Sequence, residues 1–173
     1  MKLLTLCFFL MVCSLAMPPQ LTAQQPTFQD PLLDHFVGHW KLEGTMVGQK
    51  TVHDMDVEWV LAHQYLRIHE VARDKNSKGE PSYEAMVFIA WDQKRSEYVI
   101  AWLDDYGGIS PVASLSYAKK NGNDLAFVFD DPDGPFHTTF SYDPKSDTWQ
   151  MNMDATDKGQ LKPFARTTLT REK

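Results

Sequence analysis

Cysteine is the scarcest chemistry in this chain. Only Cys7 and Cys13 occur in 173 residues, and both fall inside the apolar stretch near its start. A mature chain cleaved beyond that stretch has no disulfide, no thiolate nucleophile and no cysteine metal site. Basic charge is also short, with 17 Lys and Arg against 23 Asp and Glu, a formal net charge of −6. Nucleic acid and anionic lipid are therefore not expected as partners, because both need a basic stripe. The apolar run Leu3 to Leu15 is too short to span a bilayer as a stable helix, so no stable membrane span is expected. Six histidines are present, but they form no His-Glu-x-x-His pattern. There is no Ser-His-Asp order, no phosphate-cradling Gly loop and no nucleotide fingerprint. Asp131-Pro132-Asp133-Gly134 lacks the terminal acid of a calcium loop. No metal or cofactor is expected, no catalytic residue can be named, and catalysis has no motif to support it.

The first residues read as targeting. Lys2 supplies a positive n-region, Leu3 to Leu15 an apolar h-region, and Ser14-Leu15-Ala16 or Leu21-Thr22-Ala23 a small-residue cleavage site. Residues 1–23 are expected to be a signal peptide and the mature chain to be exported, periplasmic or secreted. Lys2 is the one charged residue before Ala23, so its removal takes the formal charge from −6 to −7. About 150 residues remain, enough for one domain with its own core. Residues 24–34 read as a linker and 35–173 as the domain. Within the linker, Asp30-Pro31 starts a brief turn or helix whose Leu32 and Leu33, with Phe36, would plug one end of a barrel.

The rest reads as strand, turn, strand. Short runs rich in Val, Ile, Phe, Tyr and Trp are broken at regular intervals by turn chemistry. Alternation predicts about ten strands, near 38–47, 52–61, 64–73, 82–91, 97–104, 112–119, 124–130, 135–142, 148–154 and 164–171. Turns then set the registers. A hairpin turn between Leu61 and Gln64 puts Trp59 opposite Leu66, Val57 opposite Ile68, Met55 opposite Glu70 and His53 opposite Ala72. The other face of that hairpin sets Glu58 against Arg67 and Asp56 against His69, complementary charges suited to solvent. Asp130 to Gly134 and Asp143 to Asp147 are hairpin loops by composition, pairing Phe129 with Phe136 and Tyr142 with Trp149. That register places His137 opposite Asp154. Asn121-Gly122 is the strongest hairpin signal. The expected fold is all-β: a single antiparallel meander barrel with a short N-terminal helical turn and a lumen for one small ligand.

Phe36-Val37-Gly38-His39-Trp40 carries the Gly-x-Trp that opens lipocalin-type barrels. With Val57-Glu58-Trp59-Val60-Leu61, Phe88-Ile89-Ala90-Trp91-Asp92 and Tyr98-Val99-Ile100-Ala101-Trp102-Leu103-Asp104, it resembles in order and spacing an uncharacterised bacterial family of lipocalin-like domains. The resemblance covers roughly residues 33–171. It implies a calycin-type barrel and brings no catalytic residues. It also implies a late arginine, Arg166 or Arg171, packed over Trp40.

The candidate ligand-binding residues are Met55, Trp59, Glu70, Tyr98, Trp102, Asp104, Trp149 and Met151, an aromatic and methionine wall with two carboxylates. The expected function is binding of a small apolar or amphipathic molecule in the lumen. Two alternatives stand beside it. One is an enzyme in which Glu70, Asp104 and a pocket tyrosine do acid–base chemistry on a lipid-like molecule. The other is a structural or partner-binding envelope protein whose barrel is filled. Both faces of the 82–104 sheet are apolar, which points to a cover over the outer one, either the N-terminal segment or a second copy in a homodimer.

Overall fold

The computed structural model describes residues 27–106 and 115–172. The expected signal peptide with Cys7 and Cys13, and the Gly107-Gly108 turn, lie outside the described residues.

Among the described residues one helix, α1 (Pro31–Asp34), precedes eleven strands. They are β1 (Gly38–Met46), β2 (Gln49–Val60), β3 (Tyr65–Ala72), β4 (Glu84–Asp92), β5 (Glu97–Asp104), β6 (Leu115–Ala118), β7 (Lys120–Asn121), β8 (Asp124–Phe129), β9 (Phe136–Asp143), β10 (Thr148–Asp157) and β11 (Gln160–Arg171). All join in one antiparallel sheet in the order β6-β5-β4-β3-β2-β1-β11-β10-β9-β8-β7. Every neighbour is the next strand along the chain except β1, which pairs with β11 from Trp40↔Arg171 to Met46↔Ala165. The result is an all-β meander nearly closed into a barrel, as the alternation and turns predict.

The registers follow the turn chemistry. Met55↔Glu70 and Trp59↔Leu66 pair in β2–β3, Trp91↔Tyr98 in β4–β5, Phe129↔Phe136 in β8–β9 and Trp149↔Tyr142 in β10–β9. Asn121 pairs with Asp124 across Gly122-Asn123, and Gly122 takes the positive φ of +61° that this two-residue turn requires. The strand expected near 112–119 is the one that differs. It breaks at Lys119, because β6 pairs with β5 while β7 turns to pair with β8. One passage of chain thus serves both edges of the sheet and brings them together. Ser116 Oγ ties the seam by donating to the Val128 carbonyl at 2.7 Å.

The inner faces form a single core. On β4 and β5 the inward set is Val87, Ile89, Tyr98 and Ile100, all buried. The opposite face of the same strands continues over β6 and β8 and leaves Leu103, Leu115, Tyr117 and Val128 exposed to solvent.

One barrel end is stoppered by the segment before β1. Asp30 caps α1, accepting from Leu32 N at 2.8 Å and Leu33 N at 3.4 Å. Pro31 supplies a first helical residue with φ already set. Leu32, Leu33 and Phe36 are buried in the barrel core, and Phe36 stacks on Trp149 with ring centroids 4.4 Å apart. Each such apolar side chain contributes about 1.5–3 kcal/mol by leaving water. Trp40 Nε1 donates to the Phe36 carbonyl at 2.7 Å. Arg171 closes the corner. Its guanidinium lies 4.1 Å from the Trp40 ring centroid and donates to the carbonyls of Val37 at 2.8 Å and His35 at 2.9 Å. Gly38 makes this approach possible: its φ is +138°, and a Cβ there would stand 2.5 Å from Arg171 Nη1. Arg166, the other arginine expected there, instead pairs with Asp154.

Candidate functional site at the barrel end opposite the helix

At the end opposite α1, described residues converge into a polar cluster in an otherwise apolar wall. Its base is set by strand geometry. Thr51 and His53 are two apart on β2 and so share a face. Glu70 on β3 sits opposite Met55, which makes it the diagonal neighbour of His53 on that face. His53 Nδ1 lies 2.5 Å from Glu70 Oε1, and His53 Nε2 lies 2.6 Å from Thr51 Oγ1. His53 is 3% exposed and Glu70 0%. The imidazole is held on both sides.

Glu70 Oε2 is as deeply buried and has no hydrogen-bond partner. A buried carboxylate oxygen without a donor costs on the order of 1–3 kcal/mol, more when charged. That cost marks a position where a donor from outside the protein would be accepted.

Tyr83 and Trp102 line the same end. The backbone N–H of Ala72 donates to the Tyr83 carbonyl at 2.9 Å, anchoring Tyr83 just before β4. Trp102 lies opposite Val87 on β5, and its Nε1 donates to the Tyr83 hydroxyl at 3.0 Å. The Tyr83 ring lies 5.7 Å from the His53 ring and 5.7 Å from the Tyr106 ring. Burial pushes the Tyr83 hydroxyl well above the usual phenol range. The carboxylates of Glu70, Asp104 and Asp105 push it the same way, against the Trp102 hydrogen bond. Asp104 stands at the rim and accepts from Tyr106 N at 3.2 Å. Its own pKa is raised by burial and by Asp105, which outweigh that hydrogen bond. Solvent reaches Thr51, Tyr83 and Trp102 in part and stops above His53 and Glu70.

The eight residues singled out from sequence divide by position. Glu70, Trp102 and Asp104 lie at this end, opposite α1. Met55 and Met151 are buried in the barrel core. Trp59, Tyr98 and Trp149 belong to the α1 end. Trp59 Nε1 donates to Asp34 Oδ1 at 2.9 Å, and Trp149 packs under Phe36. The Tyr98 hydroxyl donates to Asp30 Oδ2, which also takes Lys120 Nζ at 3.0 Å. Burial alone would raise the Asp30 pKa. The hydrogen bonds from Tyr98, Lys120 and Leu32 N–H outweigh it and hold the carboxyl below its usual range.

Sequence reasoning did not single out Thr51 and His53. The signal for His53 was present, because the hairpin register that turns Glu70 inward turns His53 inward two residues away on the facing strand. Among the described residues, no three His, Cys, Asp or Glu side chains group as a metal would require, and no helix is long and apolar enough to cross a membrane. Chemically, the cluster can accept a donor at Glu70 Oε2 and pass a proton along Thr51, His53 and Glu70. No protein-family model matches the chain, and no curated protein matches it.

Proposed function

We propose that the protein is an exported, lipocalin-like barrel that binds a small amphipathic molecule through the end opposite α1. The asymmetry of the barrel carries this reading. One end is stoppered by α1, Phe36 and Arg171. At the other, part-exposed Tyr83, Trp102, Phe136 and Phe164 pack against the core around a buried polar floor. Aromatic walls with a few placed polar groups are the usual composition of a small-molecule site.

Titration with an uncharged naphthylamine dye tests the reading through dye emission and tryptophan quenching. Saturable binding is expected, with most of the quenching lost in Trp102→Phe. A flat titration to high micromolar dye would overturn it. One observation favours a second reading, acid–base catalysis on the bound molecule: hydroxyl, imidazole and carboxylate follow one another through Thr51, His53 and Glu70. Native mass spectrometry separates the two, since a carrier returns its ligand intact.

A further inference from the structure

The binding reading leaves open which polar end the ligand carries, and the polar cluster constrains it. Three carboxylates, those of Glu70, Asp104 and Asp105, act on the Tyr83 hydroxyl together. Among the described residues of this cluster the one basic group is His53, and both its ring nitrogens are engaged, Nδ1 by Glu70 Oε1 and Nε2 by Thr51 Oγ1. Glu70 Oε2 is left buried and without a donor. The neighbouring aromatic side chains, Tyr83, Trp102 and Tyr106, offer ring faces that attract a cation.

Each class of polar end fares differently here. A carboxylate end would place a further negative charge beside three others. A hydroxyl end gives Glu70 Oε2 one hydrogen bond and leaves the negative charge of the cluster unbalanced. An ammonium end supplies a charge-assisted hydrogen bond to the same oxygen, offsets the charge at the rim and meets the ring faces. Resting on the binding reading above, we propose that the barrel end opposite α1 is a receptor for organic amines: it takes the ammonium group of an amphipathic primary amine, with Glu70 Oε2 as its acceptor and Tyr83 and Trp102 beside it, while the alkyl or aryl part lies along the apolar wall.

The test is competition against the uncharged naphthylamine dye at pH 7.5 by decylamine, decanol and decanoate, each below its micelle concentration. Decylamine is expected to displace the dye at least about tenfold more tightly than decanol, because it brings its own positive charge to the same carboxylate oxygen. Decanoate should be the weakest. Glu70→Gln keeps the shape and removes the charge, so the ratio of decylamine to decanol affinity, measured within the variant, should fall to about one. Should Glu70→Gln fail to fold, Asp104→Asn carries the test. An asparagine still accepts from Tyr106 N, and the variant should weaken decylamine several-fold, flatten its salt dependence and leave decanol unchanged.

Dye binding with equal affinities for the three competitors, or with decanoate tightest, overturns the amine proposal and leaves the binding reading standing. Absence of dye binding overturns the binding reading, and the proposal falls with it.

Discussion

Asp30 does three jobs with one carboxylate. Oδ1 caps α1, while Oδ2 takes the Tyr98 hydroxyl and the Lys120 ammonium. It is thereby the residue that fixes the stopper to the wall, reaching β5 and β7 at once. Its folded pKa is depressed, so its ionised form stabilises the fold above its unfolded pKa of about 3.9, and that contribution is lost as pH falls through the lower folded value. Asp30→Asn keeps a capping oxygen but loses the charge. It should cost about 1–2 kcal/mol near neutral pH, the worth of a hydrogen-bonded buried charge. Urea midpoints at pH 7 and pH 3 check the assignment, because the gap between variant and wild type should narrow at the lower pH. An equal gap at both would show that the charge contributes nothing.

At the scale of the strands, the β2–β3 hairpin shows what the chain declared and what it did not. Turn position and face alternation were sufficient for the register, and Glu58 pairs with Arg67 as expected from it. Asp56 and His69 also stand opposite one another, yet their contacts run sideways. Asp56 takes His39 from β1, and His69 takes Glu84 from β4 at 2.7 Å. Likewise His137 faces Asp154 in register, but Asp154 pairs with Arg166. A hairpin considered alone has one neighbour, whereas a strand inside a barrel has two. The site was half legible for the same reason: the inward turn of Glu70 follows from the hairpin, but its engagement by His53 is diagonal. Tyr83 falls within the strand that alternation predicts near 82–91, and it stands just before β4 in the structure.

The turn of this hairpin was legible in place but not in conformation. Leu61, Ala62 and His63 take φ of 51°, 55° and 63° with no glycine among them. L-residues resist that region by roughly 1–2 kcal/mol each. The Trp59 ring stacking on His63 at 4.1 Å accompanies this strained path. Ala62→Gly relieves one residue and leaves the stack. It should raise stability by about 0.5–1 kcal/mol, the strain relieved less the entropy glycine costs. A denaturation midpoint that falls instead would show that the turn tolerates its geometry without cost.

For the molecule as a whole, the ring is continuous everywhere but at the seam between β6 and β8. There, among the described residues, a side-chain hydrogen bond from Ser116 Oγ to the Val128 carbonyl stands where a backbone ladder runs elsewhere. Opening should therefore begin at that point. Amide hydrogen exchange is expected to be faster in β6 and β8 than in β2 and β3. Ser116→Ala should accelerate the first pair and leave the second unchanged. Uniform exchange around the ring would show that the seam is no weaker than the ladders.

The pairing of β1 with β11 has a consequence for the order in which the protein comes into being. The strand containing Trp40 finds its second neighbour only in the one containing Arg171, so through most of synthesis β1 offers an unpaired edge with nothing to receive it. Meander hairpins can form as they emerge, since their partners are adjacent in the chain, but the ring cannot lock before its last strand arrives. A nascent chain of this design remains an open meander until β11 has emerged.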